Sequence, residues 1–239
     1  KHIEVAAAKA AGLQVSNTPG AVTDATADIA LTLMLMTARR ASEGEAMLRA
    51  GQWTGWAPTQ LLGMHLTGKT LGVIGMGRIG KAIAKRSHFG FGMDVVFFNR
   101  SNVPAFDVPC EQLDSIDAVM QRADVVVLAV PATPETHHLI NADTLKNMQS
   151  HAILVNIARG DIVEEAALID ALSTGQIAGA GLDVYEKEPS VPQALIDLPN
   201  CSLLPHLGTA ALEVRESMGF MAFDNLVAFA QAKPLPNAV

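Results

Sequence analysis

Six short, continuous apolar runs follow one another along the chain: LGVIG (71–75), DVVFFN (94–99), VVVLAV (125–130), AILVNI (152–157), GAGLDV (179–184) and SLLPH (202–206). A strand wetted on one face alternates apolar and polar residues, whereas an unbroken run requires cover on both faces, the situation of parallel strands under helices. Helical patterns lie between the runs: RIGKAIAKRSHF, SIDAVMQRA and VEEAALIDALSTG. This alternation predicts an α/β fold, a doubly wound parallel sheet of the Rossmann type. Upstream, HIEVAAAKAAG reads as a helix closed by Gly12, LQVSNT as a short strand, and the stretch from about Thr26 through ARRASEGEAMLRAG as one long helix. QWTGWAPTQLLGMHLTGKT then reads as a loop holding both tryptophans, and EVRESMGFMAFDNLVAFAQ as a last helix.

At 239 residues, 49% of them hydrophobic and 17% charged, the chain has the material for a substantial core. Its net charge of −7 argues against a general nucleic-acid binder. The cysteines Cys110 and Cys201 form no disulfide framework, and the longest apolar run, IALTLMLMTA, stops at Arg39-Arg40 short of a membrane span. With no basic-then-apolar leader at its start, the expected location is cytoplasmic, with no membrane partner. The chain opens on Lys1 inside a helical pattern, so a preceding portion is expected.

Gly75-Met76-Gly77-Arg78-Ile79-Gly80 matches G-x-G-x-x-G, directly ending one strand and opening one helix. Gly75 would allow the tight turn, Gly77 the approach of backbone to a pyrophosphate, and Gly80 close helix–sheet packing. The phosphates would lie at the N-terminus of the helix opened by Arg78. About 20 residues on, where an acid would bind the ribose 2′-hydroxyl of NAD, stand Asn99, Arg100 and Ser101. A guanidinium and a hydroxyl can bind a 2′-phosphate that an acid would repel, so NADP(H) is the expected cofactor. The alternative is that Arg100 is a solvated surface charge and NAD(H) is accepted as well.

Ligands of open parallel sheets bind beyond the carboxyl ends of the strands. Arg159, Asp183 with Glu188, and His206 follow three such ends. Together they suit hydride transfer to a 2-keto acid. His206 would act as general acid toward the carbonyl oxygen. Glu188 would favour the protonated ring and orient it. Arg159 would polarise the carbonyl and grip the carboxylate, and Asp183 would receive the nicotinamide carboxamide. Taken singly, each residue has a plainer role. Arg159-Gly160-Asp161 could be a strand-to-helix turn with Asp161 as N-cap, Glu186 is read as a surface charge, and His65, His88, His137, His138 and His151 as structural. No metal is expected in the chemistry.

The motifs NTPGAVTDATADIALTLML, GKTLGVIGMGRIG, VNIARGDIVEEAAL, AGLDVYEKEP and LLPHLGTA resemble the D-isomer-specific 2-hydroxyacid dehydrogenase family. The arm segment and the Asn-Arg-Ser ending look most like glyoxylate/hydroxypyruvate reductases and glycerate dehydrogenases. The resemblance implies Arg159, Glu188 and His206 as the catalytic trio. It also implies cofactor contacts by Thr26, Arg78, Ile79, Val130, Ile157 and Asp183; Pro131, Gly208, Arg159 and His206 are counted in the same set. It further implies a homodimer through an arm at about 40–68, where Trp56 either reaches the neighbouring subunit or simply packs. By the same resemblance, residues 1–20 are the end of a substrate-binding domain and 21–206 the dinucleotide-binding domain. Residues 207–239 form a helix returning toward the substrate domain. The rest of that domain, with the loop that cups the substrate carboxylate, is expected ahead of Lys1. Two other readings remain open: an NAD-linked D-2-hydroxyacid or phosphite dehydrogenase, and a nucleotide-sensing, corepressor-like scaffold.

Overall fold

The computed structural model describes residues 3–239. The chain divides into two compact units, one of residues 26–208 and one of residues 1–25 with 209–239.

The larger unit is a seven-stranded, wholly parallel sheet. Its strands are β1 (Thr70–Ile74), β2 (Asp94–Phe98), β3 (Glu111–Gln112), β4 (Val125–Leu128), β5 (Ile153–Asn156), β6 (Gly179–Leu182) and β7 (Cys201–Leu203). The spatial order β3-β2-β1-β4-β5-β6-β7 reverses direction between β1 and β4, the switch point where such sheets open a ligand crevice. Every residue of β4, β5 and β6 is buried, which is why these strands read as unbroken apolar runs. Two core layers flank the sheet. Ile83, Leu33 and Met34 pack on one face, and Val119, Leu145, Leu168 and Leu195 on the other.

The helices of this unit are the bulk of α2 (Thr23–Ala38), α3 (Ala41–Arg49), α4 (Arg78–Phe91), α5 (Ile116–Arg122), α6 (Ala142–Leu145), α7 (Glu165–Ser173) and α8 (Gln193–Ile196). Three expectations need correction. The single long helix from Thr26 is two helices, because Arg40 takes a left-handed conformation (φ 53°) and the amide of Met64 occupies the carbonyl of Ala38 at 2.7 Å. Arg40 is held there by a two-point ion pair to Glu43. The sheet has a seventh strand, β3, whose two residues Glu-Gln carry no apolar signal and pair with Val96 and Phe97. The stretch LQVSNT is not a strand: Ser16 makes only an isolated bridge to Ala238.

The smaller unit holds α1 (Val5–Ala10) and α9 (Leu212–Ala230). Within it, Asn225 of α9 exchanges side-chain and backbone hydrogen bonds with Asn237 at 3.0–3.1 Å. Phe220, Phe223, Leu226 and Phe229 of α9 are 61–68% exposed. Among the described residues no helix is long and apolar enough to cross a membrane.

Candidate active site

The glycine loop joins β1 to α4 at the switch point. Gly75 has φ +100°, and a side chain there would meet Val130 Cγ1 at 2.7 Å and the Ala129 carbonyl at 2.8 Å. A side chain on Gly80 would run into the Gly75 carbonyl, which is how α4 comes so near the sheet. Gly77 is different: nothing lies within 4 Å of where its Cβ would stand. It is the N-cap of α4 and offers no side chain to the helix's first amides. An open face lined by unpaired N–H groups at the positive end of a 14-residue helix fits a diphosphate. Arg78 is exposed beside it, and Ile79 packs toward the core.

Past β2, the turn Asn99-Arg100-Ser101 is tied to this loop. Asn99 Oδ1 accepts the Met76 amide at 3.2 Å, while Asn99 Nδ2 donates to the Ser101 carbonyl (2.9 Å) and to Ser101 Oγ (3.2 Å). Arg100 and Ser101 are exposed. The carboxyl of Glu135 is held below its usual range, first by a hydrogen bond from Thr133 and in smaller part by the charge of Arg100.

The carboxyl ends of β5, β6 and β7 carry the remaining residues. His206 Nδ1 lies 2.7 Å from Glu188 Oε2, and Glu188 Oε1 accepts the Tyr185 amide at 3.0 Å. Burial pushes the Glu188 carboxyl upward. The hydrogen bond from His206, the Tyr185 amide and the charge of Arg159 outweigh that, and it sits below its ordinary value. Glu188 is therefore the ionised partner that holds one ring nitrogen, leaving Nε2 for another molecule. His206 itself has φ 56°, a left-handed conformation rare for a residue with a Cβ.

What holds that conformation is Asp183, which is 1% exposed. Its two carboxylate oxygens accept the amides of Leu207 (2.6 Å) and Gly208 (2.8 Å), the residues just past His206. Burial raises its carboxyl and these two amides oppose the rise. Thr26 Oγ1 donates to the Gly208 carbonyl at 3.3 Å, joining α2 to the same knot. Asp183 thus orients the histidine loop, a role not visible in its sequence setting.

Arg159 lies in an extended conformation after β5 and donates from Nη1 to its neighbour Ala158's carbonyl at 2.6 Å. Ile157 is 5% exposed within the core, and Pro131 accepts from Thr136 Oγ1 at 2.8 Å. Asp161 is not an N-cap: residues 160–162 form a tight turn, and Glu164 stands at the N-cap position of α7 without a side-chain capping bond. Glu186 is not a free surface charge either. Its Oε1 lies 2.8 Å from His138 Nε2 and accepts the Glu165 amide (3.2 Å), while the buried Glu165 carboxylate accepts the Glu186 amide at 2.8 Å. This reciprocal clamp joins the start of α7 to the Glu188 loop, and only the folded chain brings residues so distant in sequence together.

A cleft of about 670 Å³ opens at the amino-terminal ends of the strands, lined by Arg40, His65, Lys69, His151, Asn200 and Ser202 among others. Lys69 and His151 there both meet one carboxylate of the chain, Asp124, at 3.8 and 2.6 Å. The cleft is also remote from the switch point, so the site is placed at the glycine loop and the His206–Glu188 pair.

A glycine loop at the switch point of a parallel sheet defines the dinucleotide-binding domain of an NAD(P)-linked oxidoreductase. Residues 31–208 match the family model described as D-isomer specific 2-hydroxyacid dehydrogenase, NAD binding domain, and the chain belongs to that family. It is 45% identical over 244 residues to the glyoxylate reductase of Thermococcus litoralis, covering all of this chain and 73% of the relative. It is 44% identical over 226 residues to the glycerate dehydrogenase of Hyphomicrobium methylovorum, covering 93% of this chain and 70% of the relative. Among solved structures it resembles an NADPH-dependent glyoxylate/hydroxypyruvate reductase from Sinorhizobium meliloti, in complex with NADP and malonate. That match has a TM-score of 0.91 and 38% identity, over 99% of this chain and 73% of that one.

Proposed function

We propose that this chain serves an NADPH-dependent reduction of a small 2-keto acid, glyoxylate or hydroxypyruvate, to the 2-hydroxy acid. The carrying observation is the His206–Glu188 pair at 2.7 Å, on the same rim as the open glycine loop. Bound reduced nicotinamide supplies the hydride for the carbonyl carbon. His206, held at Nδ1 by ionised Glu188, gives the proton from Nε2 to the carbonyl oxygen. Arg159 turns its guanidinium from the Ala158 carbonyl to the substrate, gripping the carboxylate and polarising the carbonyl. Asp183 keeps the histidine loop in its left-handed conformation and retains lone pairs for the carboxamide. Gly75, Gly77, Arg78, Ile79 and Gly80 would hold the pyrophosphate, and Thr26, Val130, Pro131, Ile157 and Gly208 would make further contacts to the cofactor. Asn99, Arg100 and Ser101 take the 2′-phosphate, and this turn supports NADPH over NADH.

The working form is a cytoplasmic homodimer joined through the arm at about residues 40–68. The dimer reading is supported by the exposed Leu48, Trp53, Trp56 and Leu62 there. The experiment is a fluorescence titration of the chain with NADPH and, separately, NADH, followed by NADPH oxidation assays with glyoxylate and hydroxypyruvate on the protein that includes the portion expected ahead of Lys1. NADPH binding at least about tenfold tighter, a difference of ~1.4 kcal/mol, is expected. Equal affinities would overturn the NADPH preference, and absence of turnover with both keto acids would overturn the substrate assignment.

A further inference from the structure

We infer that Gln112, on the edge strand β3, is the positioning residue that sets the cofactor preference by folding the Asn99–Val103 turn. The inference rests on the NADPH reading above and names the group that makes the turn competent. Gln112 is half-buried and 13 residues from Asn99 in sequence. Its Nε2 donates to the carbonyls of Asn99 and Ser101, both at 3.1 Å, and its Oε1 accepts the Val103 amide at 3.0 Å. One amide therefore satisfies three backbone groups of a five-residue turn that no regular element pairs. β3 fixes where that amide stands: Gln112 is in register with Phe97 of β2, and the Leu113 amide closes on the Phe97 carbonyl at 2.8 Å.

The hold has a chemical consequence at the ligand side. Asn99 Nδ2 donates into Ser101 Oγ at 3.2 Å, so that oxygen is held in place as an acceptor while its proton stays available to a further acceptor. The turn is anchored on one side through Asn99 to the glycine loop at Met76, and on the other through Gln112 to β3. Between these anchors Arg100 and the Ser101 hydroxyl face solvent as donors. Donors fixed before binding discriminate a phosphate from a hydroxyl more sharply than donors that must be ordered by the ligand. Without Gln112 the Asn99 carbonyl and the Val103 amide would lose their partner and the Ser101 carbonyl would keep only Asn99 Nδ2, so the turn would be held on the glycine-loop side alone.

Gln112→Met keeps the length of the side chain and removes all three hydrogen bonds; Gln112→Ala is the companion variant if the longer side chain is not accommodated. The dissociation constants of NADPH and NADH are measured for the 239-residue chain and each variant, with thermal melting and amide exchange at Val103 as checks of local order. The expected result is that the NADPH/NADH preference falls about tenfold, NADH affinity stays within about twofold, and the Val103 amide exchanges faster. A wild-type preference for NADPH that survives in the variant would overturn this inference and leave the NADPH reading standing. Parallel weakening of both nucleotides would also overturn it, because the side chain would then support the domain in general. A wild-type chain with no preference would remove the NADPH reading and this inference together.

Discussion

Asp183 places both carboxylate oxygens on the two amides that follow His206, so one side chain decides the backbone of the proposed proton donor. An asparagine offers one acceptor and one NH2 group there, and one of the two amides would lose its partner. Asp183→Asn is expected to cost ~1–3 kcal/mol of stability, read as a lower denaturant midpoint, and to reduce kcat more than nucleotide affinity. The Glu188–His206 pair makes a separate prediction about pH. The carboxyl of Glu188 lies below its ordinary value of 4.5, so the fold favours the ionised form. Its contribution is present above about pH 4.5 and disappears as pH falls through the folded value. The stability gap between wild type and Glu188→Gln, measured by urea unfolding, should therefore narrow as pH drops from 6 toward 4. The pairing of these two residues could be anticipated because both follow strand ends of a parallel sheet. The clamp at Glu186 could not: it lies two residues from Glu188, and only the course of the loop decides that one carboxylate meets His206 and the other His138.

The strands that were legible are the ones covered on both faces, since burial writes itself as an apolar run. β3 was invisible because an edge strand of two polar residues is defined by backbone pairing alone. The break between α2 and α3 was hidden for a related reason. Alanine and arginine are both good helix formers, and the interruption comes from Met64, more than twenty residues away, taking the carbonyl of Ala38. The turn that follows Arg159 leaves no room for a side chain against the loop that leads to Glu188. A Cβ on Gly160 would run into the peptide joining Tyr185 to Glu186, atoms that cannot move without moving Glu188. Gly160→Ala is expected to destabilise by about 3 kcal/mol or more, seen as a lower melting temperature, and to impair catalysis through both loops at once.

For the whole molecule, exposed large apolar side chains gather on α9 and in the arm, with others scattered at Leu13, Leu35, Phe89 and Ile196. The arm is the segment proposed to bury against a second copy, with Trp53 and Trp56 at 53% and 81% exposure. Leu62→Glu, placing a charge on the arm, is expected to shift the sedimentation coefficient from dimer to monomer while the glycine loop keeps its nucleotide affinity. Unchanged sedimentation would move the dimer contact elsewhere.

The aromatic residues give this chain a built-in pair of optical labels. Both of its tryptophans are in the arm, and its single tyrosine, Tyr185, is buried between Asp183 and Glu188 with its hydroxyl donated to the Leu204 carbonyl at 2.9 Å. Tryptophan emission therefore watches the arm, and tyrosine absorbance watches the loop that carries Glu188. If the two signals change at the same denaturant concentration, arm and loop melt as one cooperative body. If the tryptophan signal moves first, the arm can detach while the chemistry end stays assembled, and no engineered probe is needed to see it.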